Sequence, residues 1–168
     1  MTNDISNHET CVLNNKTLDK NISIKTCKNV LYGICAIGIG TSLLEIFCGL
    51  ACVGGGLYAL ATETVLSLLS AEAILSIGIF FLHLGLFSMI KNLLGIKGAD
   101  NPDKIIPALI LGVIAMIFSG GNLVHVLSKS FDLFPLIIMV LTFALNAGFC
   151  FCTVMIHLAN REAKKTKE

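Results

Sequence analysis

At 168 residues, with 55% hydrophobic and only 14% charged side chains and a formal net charge of +1, the chain is too apolar for a water-soluble domain, where charged residues make up about a quarter of the total. Its mean hydropathy of +0.83 points the same way. The basic residues are spread over three short segments that also contain acids, which excludes the concentrated patch of a nucleic-acid-binding protein.

Residues 1–28 are polar and Asn-rich. A cleaved signal peptide would carry its apolar core within the first twenty or so residues, whereas here the apolar run begins near Val30. The segment is therefore expected to be a retained polar tail that is mobile at its start. The first span is expected over 30–53, ended by Gly54-Gly55-Gly56, because three glycines remove side-chain contacts and raise backbone entropy. An interfacial helix over 57–70 follows on that reading; the alternative is an uninterrupted first span with a tight outer turn. Ser70-Ala71-Glu72 offers an N-cap and a first-turn acid, so a second span is expected over 71–92. Lys97-Gly98-Ala99-Asp100-Asn101-Pro102-Asp103-Lys104 has the composition of a sharp turn. It joins span two to a third span over 105–127 as an antiparallel hairpin. A fourth covers 133–158 with Pro135 in its first turn, and 159–168 is a basic tail. Each span has enough residues to cross a hydrocarbon layer of roughly 30 Å at about 1.5 Å per residue. The expected fold is thus all-α: a polytopic membrane protein of four transmembrane helices over 29–158.

Eleven of the twelve basic residues fall into three clusters. Lys16, Lys20, Lys25 and Lys28 precede span one; Lys91, Lys97 and Lys104 lie between spans two and three; Arg161, Lys164, Lys165 and Lys167 follow span four. The remaining connections carry only Lys129, beside the acids Glu63, Glu72 and Asp132. Basic residues near span ends stay on the cytoplasmic side, so four spans with both termini cytoplasmic are expected. The lysines are then topology signals that touch anionic lipid head groups.

Glu45 is the most conspicuous single residue, because a carboxyl group inside an apolar span costs several kcal/mol unless it is partnered or protonated. Counting about 1.5 Å per residue from the cytoplasmic ends, Asn122 and His125 are its nearest polar partners in depth, and His83 and Asn146 form a second, shallower polar level. Gly38, Thr41, Glu45, Cys48, Gly49 and Cys52 recur at three- and four-residue spacing and line one face of span one with small or weakly polar side chains. Such a face lets a second helix approach closely in lipid, where van der Waals contact and hydrogen bonds drive association. On this reading Glu45, with Thr41, Gly49, Asn122 and His125, is packing glue; the competing reading is a proton or ion site.

Cys48 and Cys52 are one turn apart but lack further ligands at matching spacing, and two residues on a helix turn the thiols of Cys150 and Cys152 by about 200° away from each other. No metal or other cofactor is expected, and the membrane cysteines are expected to be small buried hydrophobes, with Cys27 a candidate for acylation. No Gly-x-Ser-x-Gly, His-Glu-x-x-His or phosphate-loop motif is present, so no enzymatic activity is expected.

From about Leu84 to Phe118 the chain presents an apolar span, a Lys-bearing turn with Asp100-Asn101-Pro102, and Pro107 opening a second apolar span. This hairpin, roughly a fifth of the chain, resembles the membrane hairpin of the small IcmC/DotE and IcmD/DotP subunits of type IVB secretion systems, related to conjugation proteins of IncI plasmids. The resemblance implies a non-enzymatic subunit of an envelope-spanning apparatus, and with it a place in a bacterial inner membrane. The expected function is therefore an integral membrane subunit whose partners are the lipid bilayer and other membrane subunits or copies of itself. The alternative is a small proton- or cation-coupled transporter using Glu45.

Overall fold

The computed structural model describes the backbone of residues 3–61, 65–129 and 133–166, and side chains for 24–61, 71–128, 133 and 136–166. The order is α1 (Asn3–Ala61), α2 (Val65–Asp100), a one-turn 3-10 helix (Pro102–Lys104), α3 (Ile106–Lys129) and α4 (Leu133–Lys165). Among the described residues, four segments are long and apolar enough to cross a membrane: Ile24–Ala61, Ala71–Asp100, Ile106–Ser128 and Leu136–Lys165. The chain is thus an all-helical, multi-pass membrane protein. Helices satisfy their own backbone hydrogen bonds, which lipid cannot do.

Several boundaries differ from the sequence expectation for a common reason: helices here continue past the apolar stretch into polar sequence. α1 reaches back to Asn3, so the polar segment 3–28 is a helical extension rather than a separate tail. α2 runs on to Asp100 rather than ending near Asn92, and α4 continues to Lys165 rather than Leu158. The glycine triplet does not break α1. A Cβ at Gly56 would lie 2.7 Å from Leu75 Cγ and 3.2 Å from Ala71 O, whereas Gly54 and Gly55 have nothing within 4 Å. Gly56 serves a close helix approach; the other two sit on an open face, where helical hydrogen bonding alone holds them. The separate interfacial helix over 57–70 is replaced by the end of α1 and the start of α2, with 62–64, including Glu63, outside the described residues.

The α1–α2 pair has one organising feature, a small-residue zipper with seven-residue spacing. Cys35, Ser42, Gly49 and Gly56 on α1 are all buried, as are Ala71, Gly78, Gly85, Asn92 and Ala99 on α2. The contacts run antiparallel: a Cβ at Gly49 would lie 2.9 Å from Gly78 O, one at Gly78 2.9 Å from Gly49 O, and one at Gly85 2.9 Å from Ser42 O. Backbones this close exchange Cα–H···O contacts along the seam. A strict seven-residue repeat keeps such a seam facing its partner along the whole length of both helices.

α4 packs against α1 and carries α3 on its other side, while among the described residues α1 and α3 do not touch. The large aromatic at the centre is Phe149, fully buried. Its ring occupies space left by Gly95 of α2 and Gly112 of α3, where a Cβ would come within 2.6 Å and 2.8 Å of the ring carbons. Around it Cys27, Leu31, Cys35, Ala99, Ile105, Ala108, Cys152 and Ile156 form the core. This core lies at the end of the bundle that holds the α2–α3 turn. Among the described residues, no side chain of α4 before Asn146 or of α3 beyond Ser119 is buried, so the far half of that hairpin presents its surface outward.

The turn is built as its composition predicts. Asn101 is extended (φ −123°, ψ 93°), as the following Pro102 requires, and its side chain accepts from Asp103 N. Gly98 lets Ile105 fold back on α2, since a Cβ there would lie 2.9 Å from Ile105 Cα.

Candidate functional site

Lys91 is the residue whose placement the sequence did not foretell. Assigned there to the cytoplasmic basic cluster, it is only 7% exposed and lies within the bundle. Its Nζ donates to Asn146 Oδ1 at 2.7 Å and sits 5.1 Å from the centroid of the Phe149 ring. The Glu45 carboxyl group and the Cys35 and Cys150 thiols are close enough to act on its charge. The reason is geometric. α2 continues to Asp100, so Lys91 is nine residues, about 14 Å, inside the polar end layer. Helical side chains lean toward the N-terminus, which on α2 directs this lysine deeper.

The same reckoning places Asn146 about 21 Å from Asn160 and Glu45 about 20 Å from Tyr32. Lys91, Asn146 and Glu45 thus converge from α2, α4 and α1 on the middle of a layer of about 30 Å. A lysine at the centre of a membrane helix costs about 2.5–3.5 kcal/mol. A hydrogen bond from a charged donor returns about 1.5–3 kcal/mol, and an aromatic face contributes about 1–2 kcal/mol when desolvated. These two contributions offset the transfer cost, so this cluster can hold α4 against the α1–α2 pair. Among the described residues, Glu45 Oε2 and Asn92 Oδ1 are buried acceptor atoms without a partner.

The residues singled out from sequence are only partly assembled here. Glu45 flanks the zipper, and Gly49 is at its centre. Thr41 is exposed, with its hydroxyl donating to Gly38 O at 3.0 Å; Ser42, one residue on, is buried and donates to the same carbonyl at 2.6 Å. Asn122 and His125 are exposed on α3, which among the described residues makes no contact with α1, so they do not partner Glu45. His83 bonds within its own helix, Nδ1 to Ile79 O at 2.8 Å, and Asn146 meets Lys91 instead. The thiols divide as well: Cys48 is exposed and Cys52 half-buried, whereas Cys27, Cys35, Cys150 and Cys152 are buried. Cys27 therefore lies in the core rather than open to acylation. Among the described residues no group of three His, Cys, Asp or Glu side chains gathers as a metal site.

A second polar layer closes the turn end. Tyr32 donates its hydroxyl to Asp100. Asp103 Oδ1 accepts from Asn160 Nδ2 at 2.7 Å and pairs with Lys164 Nζ at 2.6 Å. The Lys164 ammonium, with Asn160 adding to it, holds the Asp103 carboxyl below the usual carboxylate range. These contacts tie α1 to α2 and the turn to α4.

The sequence matches no protein-family model, and no curated protein and no solved structure matches it.

Proposed function

We propose that this chain is a non-enzymatic integral membrane subunit that packs into a larger membrane complex, with both termini cytoplasmic, in a bacterial inner membrane. One observation carries the reading: on α3, Asn122 and His125 are exposed within an apolar span, and Gly121 beside them has nothing within 4 Å. Polar groups next to a glycine on a lipid-facing surface are what a partner helix uses for close approach and hydrogen bonding. The three basic clusters favour the cytoplasmic placement of the ends. The hairpin resemblance over 84–118 makes a type IVB secretion or conjugation apparatus the candidate assembly.

The test is extraction in mild detergent, followed by size analysis and identification of co-purifying proteins. The chain is expected to run with partners or further copies, and a double change Asn122→Leu, His125→Leu is expected to release it with its helicity intact. A strictly monomeric wild type, with no cross-links from a probe at Gly121 in membranes, refutes the proposal.

A second reading rests on Glu45 Oε2, a buried carboxyl oxygen without a hydrogen-bond partner beside a buried lysine. Intramembrane ionisable residues mark proton or ion paths in many membrane proteins. On this reading the chain is a small proton- or cation-coupled transporter, and Glu45→Gln abolishes coupled flux in liposomes while leaving the fold intact. Wild-type liposomes that move neither protons nor cations eliminate it.

A further inference from the structure

The outer half of α3 turns one line of residues away from α4. Gly120 packs on α4, where a Cβ would lie 3.4 Å from the Phe143 ring, whereas Gly121 has nothing within 4 Å. Phe118, Gly121, His125 and Ser128 follow one another at intervals of three, four and three residues with Asn122 beside them, and all five are exposed. Thr41, His83 and Thr142, also exposed within the spans, each bond back to a carbonyl of their own helix. Among the described residues the Asn122 amide and the His125 ring have no such bond. Hydrocarbon offers them none, and a polar group left unmet there is costly.

The chemistry of this face matches itself. Its residues carry no permanent charge, and a carboxamide both donates and accepts, as does a neutral imidazole. Copies of one chain insert in the membrane the same way round, so two α3 helices meet in parallel with Asn122 opposite Asn122 at equal depth. The three-four-three spacing is that of a seam between parallel helices, and Gly121 within it lets the backbones approach. A different protein would have to supply a matching polar group at that same depth.

We propose, resting on the reading of α3 as the surface through which the chain packs into a complex, that α3 docks on α3 of a second copy of this chain. The two-fold axis runs along the membrane normal, the Asn122 amides bond reciprocally across it, and Gly121 and His125 lie in the seam.

The experiment uses the purified full chain in phosphatidylcholine vesicles, where no other protein is present. Chains labelled at the N-terminus with a donor or an acceptor fluorophore are mixed, and energy transfer is followed as added lipid dilutes the protein. Transfer is expected to follow a two-body equilibrium and to be competed away by unlabelled wild type. Asn122→Leu should weaken association by about tenfold with helicity unchanged, and Asn122→Gln should restore part of it. A photoreactive phenylalanine analogue at Phe118, 70% exposed, should cross-link to residues 118–128 of another chain, whereas one at Leu44, 65% exposed on α1, should not. Transfer that unlabelled chain does not reduce, undiminished association of Asn122→Leu, or cross-links from Phe118 to α1 or α2 overturn the proposal. Monomer in vesicles combined with other proteins co-purifying from the native membrane overturns self-docking and leaves the subunit reading standing; monomer in both overturns both.

Discussion

Gly49→Ala tests the zipper most directly. The added methyl carbon would lie 2.9 Å from both Gly78 O and Leu82 N and 2.8 Å from Leu82 Cγ. Two of those three atoms are backbone, so no rotamer change relieves the clash. The helices must part by about 0.5 Å, the difference between 2.9 Å and the 3.4 Å at which ordinary contact begins. Overpacking of this kind costs about 1–3 kcal/mol, and parting the backbones weakens reciprocal Cα–H···O contacts of about 0.5–1 kcal/mol each. The better helix propensity of alanine returns about 1 kcal/mol, leaving a net loss of about 2 kcal/mol. Gly54→Ala, on the same helix with nothing within 4 Å, keeps the propensity gain and should be neutral or stabilising by up to about 1 kcal/mol. Both would be measured by reversible unfolding in mixed micelles, followed by circular dichroism. A Gly49→Ala protein as stable as wild type, or a Gly54→Ala protein as damaged as Gly49→Ala, would refute the assignment of the seam.

Gly112→Ala should destabilise by about 1–3 kcal/mol because the methyl meets the Phe149 ring; adding Phe149→Leu should recover part of that loss, and unfolding of the double variant measures the coupling. Lys91→Met leaves Asn146 Oδ1 unpartnered and removes the charge facing Glu45; breaking one side of such a buried network should cost about 3 kcal/mol, and the additional change Glu45→Gln should reduce that cost in a double-mutant cycle. Acidification should loosen the turn end. The folded-state Asp103 carboxyl titrates below its ordinary value because of Lys164 and then Asn160, so its contribution is complete above the unfolded pKa and disappears as pH falls through the lower folded value. Melts between pH 6 and pH 3 should show a drop that Asp103→Asn lacks, small because the pair is solvent-exposed.

What the sequence determined by itself was the number of membrane-crossing helices, their order and the α2–α3 turn. Lipid demands uninterrupted helical hydrogen bonding over about twenty apolar residues, and Asn101-Pro102 constrains the backbone whatever surrounds it. The seven-residue recurrence of small residues at Cys35, Ser42, Gly49 and Gly56, and at Ala71, Gly78 and Gly85, was also present in the letters. Reading weakly polar residues at three- and four-residue spacing selected a face that shares Gly49 with this seam and otherwise runs beside it through Gly38, Glu45 and Cys52. Tertiary structure alone decided which helix lies beside which: α4 rather than α3 packs against α1, and so Lys91 meets Asn146 with Glu45 within reach of its charge, while Asn122 and His125 turn outward. Depth along a helix can be counted from sequence, but the direction in which a side chain points across the bundle is set by packing. A lysine nine residues from a polar end reads as an anchor until the neighbouring helices are seen to enclose it.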